Sequence, residues 1–257
     1  MNKFTLLGSF GEGNFGDDWI LLNASKKWKT SCVCSRGVLL DNYDYSLPLF
    51  KKIILPGGGV FQDKTSSISF YWYFFMILLS KNARAYDMDI TELKSKFKNL
   101  LLLFLVKFKF ETFELRPGTS YSDLKNGQDS VSTFIEDAKK KEGSVWCPFP
   151  TDDFVPKGID SVFISDRRRH VSKVRGFYSF YHDSKDIEKS FLFLSQKESI
   201  ISSRYHPLIF AWMNEKKGLG IGPPGGKIHC LCKRAGFPWC ESPEDNKLPK
   251  KAKNSWI

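Results

Sequence analysis

A cation and an imidazole stand together in one short stretch of the sequence, from Glu198 to Trp212. The first part of this stretch, residues 199–202, holds two isoleucines between serines and predicts a short buried strand. The last part begins at Pro207, a residue favoured in a first helical turn, and continues with an apolar face that predicts a helix. Arg204 and His206 lie between the two elements. Ligands bind at the carboxyl ends of strands in open α/β sheets, and a helix N-terminus attracts anions, so the stretch predicts an anion site.

Two glycine-rich loops are the next candidates. A predicted strand at residues 4–7 runs into Gly11-x-Gly13-x-x-Gly16, and Asp17 and Asp18 then begin a helix through about Lys27. The order of strand, glycine loop and helix predicts a Rossmann-like unit, and the glycines match the dinucleotide fingerprint by letter. Two acids directly after the last glycine would repel a pyrophosphate, so we do not interpret the loop as a NAD site.

The second glycine loop follows the predicted strand at residues 53–55 and precedes an aromatic-rich helix predicted for about 69–80. Its three consecutive glycines, Gly57 to Gly59, could expose backbone amides as an anion-binding nest. They could equally form a tight crossing from strand to helix that only glycine fits. The residues alone leave both interpretations open.

Composition limits the classes of function. The 257 residues are 42% hydrophobic, which argues against disorder, and the formal charge of +11 points to an anionic partner. No Arg/Gly or aromatic RNA-binding repeat is present, so we expect no nucleic-acid partner. Met1 leads directly into the first predicted strand, so we expect no secretory signal, a cytoplasmic location and free thiols for the six cysteines.

Two other patterns could have indicated a metal or a membrane. His229, Cys230 and Cys232 with Cys240 match no standard zinc spacing, and we predict no metal site. The apolar runs at 68–79 and 100–106 are shorter than the ~20 residues of a spanning helix. We interpret them as a buried helix and a buried strand, and the positive charge keeps peripheral membrane association as an option.

The second half of the chain repeats the alternation of strands and helices. The proline-rich segment 148–156 is the predicted linker between a domain at 1–150 and a domain at 151–257. Strands are predicted at 161–164, 176–181 and 219–222, and helices at 185–195, capped by Asp183 or Ser184, and at 228–235. The run from Arg167 to Arg169, at a predicted strand end, could bind a phosphate or carboxylate or be a solvated loop.

Three motifs, each at a predicted strand end, together resemble the polysaccharide pyruvyl transferase family. They are Gly13-Asn14-Phe15-Gly16-Asp17-Asp18, Pro56-Gly57-Gly58-Gly59-Val60-Phe61-Gln62-Asp63 with Thr65-Ser66, and Ser203-Arg204-Tyr205-His206-Pro207-Leu208-Ile209-Phe210-Ala211. Arg116 with Ser120-Tyr121 and Leu124 resembles a weaker central motif of the family, and Lys227 stands where the family tends to have a lysine. The motifs occur in family order and cover most of the chain.

The resemblance implies an α/β fold of two Rossmann-like domains facing a cleft, as in GT-B glycosyltransferases. It implies transfer of a pyruvyl group from phosphoenolpyruvate to two hydroxyls of a cell-surface or exopolysaccharide precursor, forming a ketal. No cofactor is implied beyond this donor, and the acceptor would be a sugar or a lipid-linked glycan. His206 would transfer protons, Arg204 would stabilise phosphate or carboxylate charge, and Asp17 would orient or deprotonate the acceptor. The predicted substrate-binding residues are Gly13, Asn14, Gly16, Gly57, Gly58, Gly59, Gln62, Asp63, Ser203, Arg167 and Lys227.

The chain departs from the family pattern in places. It is shorter than typical members, with the deficit expected between residues 169 and 186, so we expect a shortened second domain. Pro56 replaces the first glycine of a frequent four-glycine run, and Asp18 replaces a more usual glutamate. Two alternatives follow: a GT-B-like glycosyltransferase using a nucleotide sugar, and a non-catalytic glycan-binding descendant. The first would need a late carboxylate for the ribose, for which Glu241 and Glu244 are the candidates.

Overall fold

The chain forms an α/β fold with two compact units. The structure, a computed structural model, describes residues 4–37, 41–61, 67–90, 93–116, 143–149, 152, 154–165 and 178–242. One unit comprises Met1–Glu12 and Asp17–Ser132, and the other comprises Gly13–Gly16 and Thr133–Ile257. Each unit contains a six-stranded parallel sheet flanked by helices, which confirms the prediction of two Rossmann-like domains. Among the described residues, no helix is both long enough and apolar enough to cross a bilayer.

The first sheet has the strand order β3-β2-β1-β4-β5-β6. The elements of this unit are β1 (Phe4–Gly8), α1 (Phe15–Trp28), β2 (Cys32–Ser35), β3 (Asp44–Tyr45), β4 (Lys52–Leu55), α2 (Ser67–Leu79), β5 (Asn82–Met88), α3 (Lys96–Phe108) and β6 (Phe110–Leu115). Every strand pairs in parallel with its neighbour. After β1, strands β2 and β3 are added on one side of the sheet, whereas β4, β5 and β6 are added on the other side. The boundary between β1 and β4 is therefore a topological switch point, where ligands bind in open α/β sheets. The two glycine loops follow these two strands.

The core of the first unit explains why the predicted elements form. Isoleucines and leucines of β1 and β4 are fully buried on both faces of the sheet, as expected for central parallel strands. On α2, Phe70, Tyr73 and Ile77 recur at helical spacing and are completely buried against the sheet. The strands predicted at 4–7 and 53–55 and the helices predicted to begin near Asp17 and Ser69 are therefore confirmed.

Two predictions for this unit are wrong. The apolar run at 100–106, predicted as a buried strand, is part of α3, and only Lys98, Leu102 and Leu105 of this helix are buried. Leucine is a strong helix former, and Ser95 caps the helix by accepting a hydrogen bond from the Lys98 N–H at 3.4 Å. The sequence analysis also missed β5, whose alanines have low strand propensity but alternate between polar residues in the centre of the sheet.

The second sheet has the order β12-β11-β10-β7-β8-β9, which is the same topology as the first. Its elements are β7 (Ser144–Cys147), β8 (Ser161–Ile164), β9 (Tyr178–Tyr181), α4 (Ile187–Ser195), β10 (Ser199–Ser202), α5 (Tyr205–Met213), β11 (Lys217–Ile221), α6 (Lys227–Ala235) and β12 (Trp239–Cys240). Here the switch point lies between β7 and β10. All strand and helix predictions after residue 160 that fall on described residues are confirmed in type.

Two details of the second unit differ from the prediction. The domain boundary predicted at residue 150 is too late, because β7 pairs in parallel with both β10 and β8 and so belongs to the second sheet. The shortening expected between residues 169 and 186, relative to typical family members, stays a prediction. The N-cap of α4 is Asp186, whose side chain accepts from the Lys189 N–H, rather than Asp183 or Ser184.

Several predictions lie outside the described residues. They concern Gln62 and Asp63, the central motif after Arg116, the arginines 167–169, and Glu244. These remain predictions.

Candidate functional site

Arg204 lies at the switch point of the second sheet. Residues 199–202 pair in register with residues 144–147, so the chain leaves β10 directly beside the end of β7. The Arg204 Nε donates a hydrogen bond to the Pro148 carbonyl oxygen at 3.0 Å, and its guanidinium lies 5.4 Å from the centre of the Phe149 ring. The side chain is half-buried. A cation is thus held at the carboxyl edge of the sheet, as the sequence predicted.

The serines before Arg204 fix the turn into α5. The Arg204 N–H donates to the Ser202 Oγ at 2.8 Å, and this hydroxyl lies 3.0 Å from the Cys147 carbonyl oxygen. The Ser203 hydroxyl donates to the Asp152 carboxylate and accepts from the Phe149 N–H at 2.7 Å. These bonds occupy serine hydroxyls that a ligand could otherwise use. Ser203 therefore positions the loop, and its predicted direct contact with substrate remains a prediction.

His206 is the second residue of α5 and packs against Gly16. The contact lies within the second unit, to which residues 13–16 belong. A Cβ placed on Gly16 would meet the His206 Nδ1 at 2.0 Å, so only glycine permits the imidazole this close to the backbone. The structure therefore brings together two residues that are 190 positions apart and were both predicted as site residues.

Backbone N–H groups of the segment Gly13–Gly16 form hydrogen bonds with residues that follow β8 and β9 of the second sheet. The Gly13 N–H donates to the Ser184 Oγ at 2.8 Å, and the Phe15 N–H donates to the Ser165 carbonyl oxygen at 3.1 Å. The Phe15 ring is fully buried, with edge-on contacts to the rings of Phe163, His182 and Phe191 at 5.3–5.5 Å between centroids. The Asn14 Oδ1 accepts from the Gly16 N–H at 3.2 Å. The Asn14 side chain thus closes the turn that ends at Gly16, the residue that contacts the His206 ring.

We expect Gly16→Ala to destabilise the protein by about 1–3 kcal/mol, because the new methyl group must displace the His206 ring. In an ordinary first helical turn the same change would be neutral or favourable by about 0.5–1 kcal/mol. Urea unfolding followed by circular dichroism measures the difference. Gly222→Ala is the matched control, since a Cβ there would meet Ile228 at an ordinary 3.5 Å. Equal stability of the two variants would contradict the close contact with His206.

In the first unit, the two acids after Gly16 have different roles. Asp18 is buried, and its Oδ1 accepts a hydrogen bond from the Gly11 N–H at 2.7 Å. This contact joins the loop after β1 to the first turn of α1. Asp17 is half-buried, with its Oδ1 3.5 Å from the position of a Cβ on Gly58. Asp17 therefore lies at the glycine loop that follows β4.

The glycines after β4 cross closely over the end of β5. Gly58 has a φ of +100°, a conformation that side chains rarely adopt. Its carbonyl oxygen accepts from the Asp89 N–H at 3.1 Å, and Gly57 and Gly59 flank it. Residues 62–66 lie outside the described part of the chain, so the tight crossing from β4 to α2 stays a prediction. An anion-binding role for Gly57, Gly58 and Gly59 remains a prediction.

Two polar contacts of the first unit were not predicted. Arg116 forms a buried ion pair with Asp87, in which the Arg116 Nε and Nη2 lie 3.2 and 2.9 Å from the Asp87 Oδ2. The Tyr73 hydroxyl lies 2.7 Å from the Ser9 Oγ at the glycine loop after β1. Complete burial, with the nearby Asp17 and Glu12 charges, raises the pKa of Tyr73 above its ordinary value, so it is a neutral phenol.

Lys227 begins α6 and is exposed, beyond the carboxyl end of β11. It is therefore at the same sheet edge as Arg204, because β10 and β11 are parallel neighbours.

The Nδ1 of His229 accepts from the Gly225 N–H at 2.9 Å, and its ring stacks on Trp239. Within the described residues, no group of three metal-binding side chains is arranged to hold an ion.

Comparison with known proteins extends the description of the fold. No protein-family model and no curated protein sequence matches the chain. Among solved structures, the chain is similar to a functionally uncharacterized protein from Klebsiella pneumoniae subsp. pneumoniae. The TM-score is 0.55 at 13% sequence identity, and the match covers 97% of this chain and 91% of the other. A likeness at this identity shows the shared two-unit fold and carries no activity with it.

Sequence reasoning missed the residues that hold the site in place. Asp152, Ser165 and Ser184 bind the backbone or side chains of predicted site residues, and Asp87 binds Arg116. Ser165 and Ser184 could not be recognised from sequence motifs, because the residues they bind are about 150 residues or more away in the chain. Asp87 could have been noticed as an acid at the end of a short alternating segment, had that segment been recognised as a strand.

Proposed function

We propose that the chain is a pyruvyl transferase that uses phosphoenolpyruvate and acts on the sugar hydroxyls of a polysaccharide precursor. The observation that carries the proposal is the packing of Gly16 against the His206 ring, beside an arginine at the switch point of the second sheet. The proposal includes the cleft between the units that the family resemblance implies, as in GT-B enzymes. It also includes action in the cytoplasm at the inner face of the membrane, for which the composition and positive charge are the grounds.

The local geometry suits a donor that carries both a phosphate and a carboxylate. Arg204 lies at the N-terminus of α5, where the helix dipole adds to its positive charge. Lys227 begins the neighbouring helix at the same edge and supplies a second cation. A phosphate bound at the start of α5 would meet Arg204 and a helix N-terminus, with Lys227 at the same sheet edge, and these positive groups favour a dianion over a neutral sugar.

The proposed reaction needs proton transfers that an imidazole can perform. Protonation of the methylene carbon of phosphoenolpyruvate gives C2 oxocarbenium character, and the first sugar hydroxyl adds to C2 as it loses its proton. Phosphate then leaves with its C–O bond electrons, and the second hydroxyl adds to complete the ketal. His206 is proposed to transfer protons, Arg204 to stabilise the leaving phosphate, and Asp17 to orient or deprotonate the acceptor.

Incubation with phosphoenolpyruvate and a panel of nitrophenyl and lipid-linked sugars tests this proposal. We expect release of inorganic phosphate together with a mass increase on one sugar that equals a pyruvate ketal. Nucleotide sugars serve in a parallel arm, because a GT-B-like glycosyltransferase would release a nucleotide instead. Phosphate release without a sugar product, or nucleotide release alone, would contradict the proposal.

A further inference from the structure

The first unit exposes apolar side chains on α2, on α3 and in the segment before β4. We call this the α2–α3 surface, after the two helices that supply most of it. Its principal apolar members are Phe50, Leu79, Leu100, Leu103, Phe104 and Phe108. Phe50, Leu100 and Phe108 have exposed fractions of 84%, 65% and 63%. Scattered exposed leucines need no explanation, but a contiguous group of this kind on one face usually marks an interaction site.

Hydrogen bonds bring three chain segments to one corner of this surface. The Phe50 N–H donates to the Leu79 carbonyl oxygen at 3.0 Å, which places the segment before β4 at the end of α2. The Lys109 Nζ donates to the Ser80 carbonyl oxygen at 2.5 Å, which places the end of α3 beside the same point. Phe108 directly precedes Lys109. The segment at Phe50 and the end of α3 therefore both lie near the C-terminus of α2.

The outer face of α3 is apolar where an amphipathic helix would be polar. Leu102 and Leu105 point into the core, whereas Leu100, Phe104 and Phe108 lie on the other side of the helix and are exposed. A helix that packs one face against a sheet normally presents charged residues to water. The exposed face of α3 thus has the composition of a second contact surface.

Lysines predominate among the charges around this surface, and the nearby acid Glu111 is paired with Arg84 at 2.8 Å. Neither α2 nor α3 contains an aspartate or a glutamate. The exposed lysines Lys51 and Lys81 lie beside Phe50 and Leu79, and the Lys107 Nζ lies 5.3 Å from the centre of the Phe108 ring. Apolar side chains ringed by lysines match the interface of an anionic bilayer, where the lysines meet phosphates and the aromatic rings enter the acyl boundary.

We propose that the α2–α3 surface binds anionic membranes peripherally. A second copy of the chain is the competing occupant, but a symmetric dimer through this face would bring lysines of like charge together. Bilayer phosphates instead complement these charges. This membrane binding rests on the part of the proposed function that places the protein at the inner face of the membrane. The surface shares no residue with the predicted site, so a failure to bind membranes would leave the pyruvyl transfer proposal untouched.

Vesicle co-sedimentation tests the proposal with the full chain. Vesicles of phosphatidylcholine alone are compared with vesicles of phosphatidylcholine and phosphatidylglycerol in equal parts. We expect binding to the anionic vesicles, weakening as salt is added. Lys51→Ala and Lys107→Ala should each weaken partitioning roughly fivefold, since each lysine near an anionic surface contributes on the order of 1 kcal/mol. The double variant Phe50→Ser, Leu100→Ser should lose most of the binding of the wild-type protein to the anionic vesicles.

The controls carry equivalent changes in the second unit. Leu192→Ser on α4 and Lys157→Ala alter exposed residues of the same types and should leave binding unchanged. Equal binding to neutral and anionic vesicles would overturn the proposal, and so would unchanged binding of the Phe50 and Leu100 variant. Sedimentation velocity supplies the third test: a wild-type dimer that Leu100→Ser dissociates would assign the surface to a second copy and overturn membrane binding. Activity on a soluble sugar acceptor reports the pyruvyl transfer proposal separately.

Discussion

Arg204→Ala and His206→Ala should each reduce pyruvyl transfer by about 10²–10⁴-fold while the protein stays folded. Arg204 is half-buried at the sheet edge, where its Nε donates to a carbonyl oxygen and its guanidinium lies over the exposed Phe149 ring. Its removal should therefore leave the packing of the hydrophobic core intact. Product formation by mass spectrometry and folding by circular dichroism are measured on the same samples.

Conservative variants separate chemistry from positioning. Arg204→Lys keeps the charge but loses the planar fork that matches phosphate and carboxylate, so we expect a large loss to remain. His206→Asn keeps a polar side chain of similar length that cannot transfer protons near neutral pH. Arg234→Ala is the control, because this arginine lies in the last turn of α6 and stacks on Trp212. Wild-type product levels from both alanine variants would contradict the assignment of the site.

The strand-end loops could be predicted because local sequence determines them. Runs of isoleucine and leucine followed by glycines specify a buried parallel strand and a tight turn in only a few residues. Pro207 likewise marks the first turn of α5. These signals were enough to predict the alternating fold and to place Arg204 and His206 at a sheet edge. The shared strand order could not be predicted in this way, because pairing between strands depends on contacts across the whole unit.

The run at 100–106 was wrongly predicted as a strand because the sequence does not show which of its apolar residues are buried. The run Leu100–Val106 is apolar throughout, so periodicity could not separate a buried strand from a helix with an exposed apolar face. The residue type was the better guide, because the run is rich in leucine and has only one β-branched residue, Val106. The α2–α3 surface was hidden for the same reason: a buried interpretation of these residues removes them from the surface.

The contacts that hold the site could not be predicted from spacing. Arg204 binds the carbonyl oxygen of Pro148, 56 residues earlier, and Gly13 binds Ser184, 171 residues later. Such partners meet only because two parallel strands or two loops end at one sheet edge. The segment assigned as a linker, beginning at Pro148, proved to be part of the Arg204 environment for this reason.

We expect that breaking the Asp87–Arg116 pair will lower the free energy of unfolding more than breaking any described surface ion pair of the first unit. The exposed fractions of the two side chains are 0% and 3%, so removal of one partner leaves the other charge buried. Asp87→Asn and Arg116→Met should each lower the free energy of unfolding by about 3–5 kcal/mol. Asp87 has a φ of +50°, and asparagine tolerates this conformation, so the aspartate variant tests the charge without adding backbone strain.

The pair of Arg84 and Glu111 provides the control for this prediction. It joins the same two strands at 2.8 Å, but its side chains are 39% and 34% exposed, and Arg84→Ala should cost at most about 1 kcal/mol. The double variant of Asp87 and Arg116 should lose much less than the sum of the single variants, because no unpaired charge then remains in the core. Urea unfolding of all four variants measures these differences. A cost for Asp87→Asn no greater than for Arg84→Ala would show that the buried pair is not what joins the carboxyl ends of β5 and β6.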